Sequence, residues 1–259
     1  RLTQLVESRR IPFNVAIVQI SPPNRLNCSS LGISVDVARQ VINQADIVIG
    51  EINPDMPQTL GNTFVSIDEF DYLVQSADKP ILFDRWPEDE VFDQVAANVA
   101  SAIEDRSCIA FSIGPLYDAL ARHLMQKKDL GVHTPMFTDA LMDLVKSGAV
   151  SNRYKDSFPG KSLTSYAIGT EDLMHWLDLN PLIEFQGIDK VFNPMYIGRN
   201  KRFVAIVNIR RVDLTGRIAL HVGKGNIITD PSEVIDFVNG AEISEGGYTI
   251  FALPSRNLK

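Results

Sequence analysis

Along the 259 residues, short apolar runs alternate with longer segments in which apolar residues recur at helical spacing. VAIVQI (Val15–Ile20) is continuously apolar but for one Gln and predicts a buried strand, broken by Ser21-Pro22-Pro23. SVDVARQVINQA predicts a helix over 34–45 with Ser34 as its N-cap, and DIVIGEI predicts a strand over 46–52, closed by Asn53-Pro54. A helix over 68–77 and a short strand over 80–83 come next. A long helix is then predicted over 86–106, with Pro87 near its start and acidic residues in its first turn.

A second series repeats this order. CIAFSIG predicts a strand over 108–114, and a helix follows over 115–128 with Leu116, Leu120 and Leu124 in register. An extended piece at 131–134 precedes a helix over 137–146. Strands are predicted at 163–168, Ile183–Phe185, 203–209, 218–222 and 248–253, with helices at Glu171–Leu177 and 233–238. Strands alternating with helices at this spacing point to mainly parallel sheets covered by helices. The Pro- and charge-rich stretch 84–90 is the expected seam between the two series.

Composition narrows the partners. Lys+Arg 25 against Asp+Glu 32 gives a formal charge of −7, and no Lys/Arg run is interleaved with aromatics, so a nucleic-acid partner is not expected. No apolar stretch is long enough to span a bilayer and no leader pattern opens the chain, so no membrane partner is expected. The two cysteines, Cys28 and Cys108, lie in or beside apolar segments, which favours packed thiols and a reducing, cytoplasmic setting. The first residue is Arg rather than Met, and the expectation is a piece of something longer.

Motifs for familiar chemistry are mostly missing. His123, His133, His175 and His221 fall in no recognised metal spacing, so no metal site is expected. PGKS (159–162) lacks the first glycine of a phosphate loop, GKGN (223–226) lacks the third glycine of a dinucleotide turn, and no G-x-S-x-G is present. Glu51 and Glu184 read as structural acids, and Asp213 reads as a turn residue capping its own backbone.

The richest segment is VAIVNIRRVDLTG (204–216): a buried strand, two positive charges at its end, then a turn with a glycine. It resembles the active-site strand of the acetyl-CoA hydrolase/transferase family, relatives of butyryl- and 4-hydroxybutyrate-type CoA-transferases, which typically reads N-S-A-x-E-V-D-L-x-G. The resemblance continues in order through VAIVQISPPN, ADIVIGEINPDMPQTLGNTF, DLGVHTPMFTDALMDLVKSGAVSN, PGKSLTSYAIGTEDL, NPLIEF, FNPMYI and VIDFVNGAEISEGGYTIFALPS. It implies an open α/β/α fold of CoA-transferase type with mainly parallel sheets. Two pseudo-repeated halves are implied: residues 1–86 as the C-terminal part of an incomplete first half, and 87–259 as a second half truncated at its C-terminus.

The resemblance also implies acyl-CoA and short carboxylates as ligands, no tightly bound cofactor beyond coenzyme A or acyl-CoA itself, a fused or partner domain, and a homo-oligomer. Its catalytic Glu attacks the acyl-CoA thioester, and that position is Arg211, a permanently protonated group with no lone pair to offer. Three further departures accompany it. S-I-G-P-L-Y (112–117) keeps Gly114 of a glycine-rich turn but carries Ser112 and Pro115 where glycines are usual; T-D-P-S-E-V (229–234) lacks the glycines of the family loop; and Pro135 replaces the acid of H-T-E. The resemblance thus implies no intact catalytic residue and a substrate-binding set of Ser112, Gly114, Asn208, Arg211 and Ser232. Arg211 is open to two readings: a strand-end Arg, solvated or paired with Asp213, or a receptor for a carboxylate or phosphate. For the whole chain the expectation is a family domain that recognises a CoA ester or carboxylate with covalent transfer lost; the alternative is a non-catalytic structural or regulatory module.

Overall fold

The computed structural model describes residues 2–220 and 232–255, with the side chains of Ser232 and Glu233 also left out. Three parallel strands, β1 (Val15–Ile20), β2 (Ile47–Ile52) and β3 (Tyr72–Gln75), form the first sheet in that order. Their inward residues Ala16, Ile20 and Val48 are buried. On the opposite face Ile17 and Tyr72 are 70% and 61% exposed, which leaves an apolar surface open on one side of the sheet.

The second sheet carries the site. Its elements in chain order are α1 (Glu90–Ala102), β4 (Cys108–Ala110), α2 (Pro115–Leu124), β5 (Gly131–Val132), α3 (Asp139–Lys146), β6 (Phe203–Asn208), α4 (Ser232–Ile243) and β7 (Tyr248–Ala252). The strands run parallel in the order β7-β6-β4-β5. Burial on both faces explains the unbroken apolar runs. Ile109, Val204 and Ile206 join a core with Ala96, Leu116 and Leu120 of α1 and α2, whereas Cys108, Ala110, Phe203 and Ala205 pack with Phe237 and Ala241 of α4.

The first of these cores also takes in Ala16, Ile20 and Val48, so the two sheets share one apolar interior. Isolated backbone bridges, Ser34 to Tyr166 and Gly61 to Phe185, tie the segments after β1 and β2 to residues beyond 160. An extended strap, residues 76–89, crosses from one sheet to the other. The Phe83 N–H donates to the Gly169 carbonyl at 2.9 Å and the Trp86 N–H to the Asp118 carboxylate at 3.1 Å. The Arg85 guanidinium clasps Asp143 at 2.5 and 3.2 Å.

The strand expected over 108–114 stops at Ala110, the one expected over 163–168 divides into Ser162–Thr164 and Tyr166–Ala167, and four further elements differ more. Residues 68–77 form a 3-10 turn, Ile67–Glu69, followed by β3 rather than a helix, because β3 pairs with the distant β2. Residues 80–83 belong to the strap and form no strand. The helix expected over 34–45 is only Ala38–Ile42; Ser34 is taken up by its bridge to Tyr166, and the Val35 N–H donates to the Ser165 carbonyl at 3.0 Å. The helix expected from residue 86 begins at Glu90, because the Asp89 carboxylate caps it, accepting from the Val91 and Phe92 N–H groups at 2.9 and 3.1 Å.

Candidate functional site

The carboxyl ends of β4, β5, β6 and β7 point the same way, and loops leaving such ends are where open α/β sheets form sites. Here β4 stops at Ala110 while its neighbour β6 runs on to Asn208. The Tyr117 hydroxyl fills the gap: it donates to the Ile206 carbonyl at 3.0 Å and accepts from the Asn208 N–H at 3.3 Å. Burial pushes this phenol up to about 12, which fits its role as a neutral tie. On the other flank the Thr134 hydroxyl accepts from the Phe111 N–H at 3.0 Å and donates to the Phe111 carbonyl at 2.7 Å. These ties hold a rigid platform above the sheet.

Tyr117→Phe keeps the ring and removes both bonds, leaving a buried carbonyl and amide without partners. The expected loss is about 1–3 kcal/mol in urea unfolding. A change within about 0.5 kcal/mol, the ordinary range for neutral surface substitutions, would show that the hydroxyl is not the tie.

Two hollows open on the platform. The inner one, about 290 Å³, is lined by Ala110, Ile113, Ala205, Val207 and Phe237 together with the polar side chains Ser112, Tyr117, Asn208 and Arg210. The outer one, about 450 Å³, lies between Trp86 of the strap, Pro115, Asn208–Val212 and Leu253–Ser255. Asn208 and Arg210 line both hollows, and no Asp or Glu among the described residues lines either. Arg211 and Val212 pair antiparallel with Ile218 and Ala219 to make a hairpin beyond β6. Both arginines are exposed, and no carboxylate among the described residues lies within salt-bridge distance of either. Asp213 is occupied with its own turn, accepting from the Thr215 N–H and hydroxyl and the Arg217 N–H at 2.8, 2.7 and 2.9 Å. Those bonds, the Thr215 hydroxyl first, hold its carboxyl below the usual carboxylate range.

The structure therefore brings Ser112 and Asn208 together at the inner hollow and sets Arg211 in the outer one. Gly114 is the N-cap of α2 at φ 136°, with nothing within 4 Å of where its Cβ would be. The turn needs glycine for backbone conformation and not for close approach. Ser232 opens α4, and its side chain, like Thr229 and Asp230, lies outside the described residues. Sequence reasoning missed Arg210, Trp86 and Tyr117 as site residues. The doubled Arg was a visible signal for the first; nothing local marks Trp86, which arrives from the strap more than a hundred residues upstream.

Nucleophiles near the platform are few. Cys108 lies beneath it, and burial pushes its thiol up to about 12, so it is no thiolate at neutral pH. The Ser112 hydroxyl has no basic partner among the described residues. Glu184 is held by Lys161 at 2.6 Å and by the Gln186 amide at 2.7 Å, and Glu51 accepts from Gln19 at 3.3 Å; neither lines a hollow. Lys155, buried below β5, donates to the Val132 and Lys161 carbonyls at 2.7 and 2.6 Å. His133 is buried too, with its Nε2–H donating to the Val191 carbonyl at 2.8 Å and the Asn200 amide donating to its Nδ1 at 3.3 Å. These groups build the platform's floor.

Comparison with known proteins gives a consistent picture. The acetyl-CoA hydrolase/transferase N-terminal domain family matches residues 3–83 and the acetyl-CoA hydrolase/transferase C-terminal domain family matches residues 169–259. The chain is 35% identical over 252 residues to the 4-hydroxybutyrate coenzyme A transferase of Clostridium kluyveri, covering 97% of this chain and 58% of that protein. It is 30% identical over 254 residues to the succinyl-CoA:acetate/propanoyl-CoA:succinate CoA transferase of Fasciola hepatica, covering 97% and 53%. The crystal structure of 4-hydroxybutyrate CoA-transferase from Porphyromonas gingivalis superposes with a TM-score of 0.87 at 30% identity, covering 96% of this chain and 60% of that one. RipA from Yersinia pestis gives 0.91 at 26% identity, covering 100% and 58%. The chain thus spans less than two thirds of the length of each of these relatives.

Proposed function

The chain belongs to the acetyl-CoA hydrolase/transferase family, and from that premise we propose that it recognises a CoA ester or a carboxylate without forming a covalent intermediate. One observation carries this reading: Arg211, at the position the resemblance assigns to the nucleophilic Glu, lies in a hollow where no acid among the described residues pairs with it or lines the wall. Transfer in this family's manner needs a carboxylate oxygen to attack the thioester carbonyl and expel the CoA thiolate. A guanidinium offers no electron pair, but its planar fork of N–H donors matches a carboxylate bidentately. The same position thus changes from attacking a substrate to holding an anion.

Incubating the chain with acetyl-CoA or butyryl-CoA, trapping with borohydride or hydroxylamine and weighing the protein tests the loss of transfer. The expected result is unchanged mass; an adduct on any residue overturns it. Recognition is read by thermal unfolding with CoA, acetyl-CoA, butyryl-CoA and acetate. A ligand at about a hundred times its Kd adds roughly 2.7 kcal/mol, which raises the midpoint by about 5–11 °C at roughly 2–4 °C per kcal/mol. No shift with any of them removes recognition and favours the structural module.

Arg211→Glu returns the carboxylate but leaves Ser112 and Pro115 in place of the family's glycines. Its expected CoA exchange between acetyl-CoA and acetate is nil, checked by a thiol-release assay. Measurable turnover by that single variant would show that the glycine turn is dispensable.

A further inference from the structure

Residues 76–89 carry the chain from β3 to α1 with no helix or strand of their own, and all of them are described. None of these residues is buried: Ile81 is 86% exposed, and Leu82 and Trp86 are 41% exposed. Buried apolar contacts are what make a segment open only when the whole fold opens, and this one lacks them. Compact folds seldom carry so long a stretch without an element, and a lid is one of the uses such a stretch serves.

The strap's anchors are polar. At its ends the Ser76 N–H donates to the Ile52 carbonyl at 2.8 Å and Asp89 caps α1. Between them the Asn53 amide donates to the Asp78 carbonyl at 3.1 Å, Lys79 faces Glu171 at 3.6 Å and Glu88 faces Arg122 at 3.8 Å. Both ion pairs are exposed and contribute little. The Phe83 and Trp86 N–H groups bond Gly169 and Asp118, on either side of Arg85 in the chain. Arg85 is the strongest tie, a fork on Asp143 at 2.5 and 3.2 Å with Asp139 at 3.6 Å. Its receptor is preset: Asp139 is buried, and the Thr170 N–H and hydroxyl fix it at 3.0 and 2.6 Å. The bolt is exposed and the socket is rigid.

We infer that residues 76–89 open and reclose as one unit while both sheets stay folded, with Arg85 as the latch. Trp86 lines the outer hollow and belongs to the strap, so that hollow has one movable wall. How the hollow is reached is independent of what it holds, so the opening does not rest on the proposed recognition of a CoA ester or carboxylate.

Native-state amide hydrogen exchange of the full chain, followed by NMR at pH 7, tests this. The Phe83 and Trp86 amides are expected to exchange at least a hundredfold faster than those of Ala205 and Val207 in β6, and with one shared, weak dependence on urea. Arg85→Gln should speed Phe83 and Trp86 about tenfold and leave Ala205 and Val207 unchanged. Arg85→Lys, which keeps the charge and loses the fork, should fall between. Raising NaCl from 0.05 to 1 M should speed the two strap amides about threefold in the parent and not in Arg85→Gln.

Phe83 and Trp86 exchanging as slowly as Ala205 and Val207 in the parent overturns the inference, because the strap then opens only with the fold. Different urea dependences for Phe83 and Trp86 overturn the single unit. Strap amides that ignore both Arg85→Gln and salt overturn the latch. Where Arg85→Gln speeds all four amides alike, the parent's salt response decides. Strap amides that quicken while Ala205 and Val207 hold support the latch, and strap amides that hold overturn it.

Discussion

Gly61→Ala is expected to destabilise the protein by about 4 kcal/mol and lower its unfolding midpoint by roughly 8–16 °C. Gly61 bridges to Phe185, tying the segment after β2 to the strand Ile183–Phe185, at φ 121°. An added Cβ would sit 2.2 Å from the Phe185 carbonyl oxygen and 2.8 Å from its nitrogen, both backbone atoms that cannot swing aside. The same contact carries two flanking bonds, Asn62 N–H to the Phe185 carbonyl and Phe185 N–H to the Leu60 carbonyl, each 2.8 Å. Relieving the clash breaks them, at about 1–3 kcal/mol per stranded buried group, and the unfavourable φ contributes about 1–3 kcal/mol more. Gly160→Ala supplies the control: φ is 75° but nothing lies within 4 Å of its Cβ. Only the conformational part remains there, roughly 1 kcal/mol. Equal small losses for both variants in urea unfolding would show that the Gly61 contact does not hold the two segments together.

Acidification is the second large effect. Burial, helped by the Lys155 charge and opposed by the Val191 carbonyl, lowers His133 to about 3 in the fold. In the unfolded chain the imidazole titrates at about 6.5. Between those values the unfolded state binds the extra proton, so stability falls as pH falls from about 6.5 toward 3 and is unaffected above that window. By pH 5 the loss reaches about 2 kcal/mol, before most carboxylates begin to titrate. The measurement is urea unfolding at pH 7, 6 and 5 for the parent and His133→Gln, whose difference isolates this group. Parallel pH profiles would refute it. An NMR titration adds a check that needs no variant, since the His133 ring signals should not shift between pH 8 and 5.

Much of the second sheet was readable from the chain because burial on both faces leaves its strands as unbroken apolar runs. VAIVNI is such a run, and β6 ends within one residue of where its last apolar residue lies. The helix at Glu171–Leu177 and the strand at Ile183–Phe185 were equally plain, bounded by a Thr N-cap and a Pro. Residues 68–77 misled because Phe70, Leu73 and Val74 fall at helical spacing, and only pairing with β2 makes them a strand. Ser34 looked like a cap because nothing near it in sequence announces Tyr166.

The site divides in the same way. Arg211, Asn208 and Ser112 were singled out because the motif residues that name them sit at or just past strand ends. Trp86 was not, since a strap delivers it from another part of the chain. Tyr117 stood within a recognised segment, but its task depends on β4 being shorter than β6, a fact of length that only the folded sheet displays.

That shortfall in length bears on how such a protein changes over time. The hollow's shape depends on a phenol, a threonine and backbone groups, none of which is the attacking residue. Replacement at position 211 leaves each of those ties in place, so selection can act on reactivity and on shape separately. A change at that one position can therefore alter what the strand end presents while the ties that shape the hollow stay as they are.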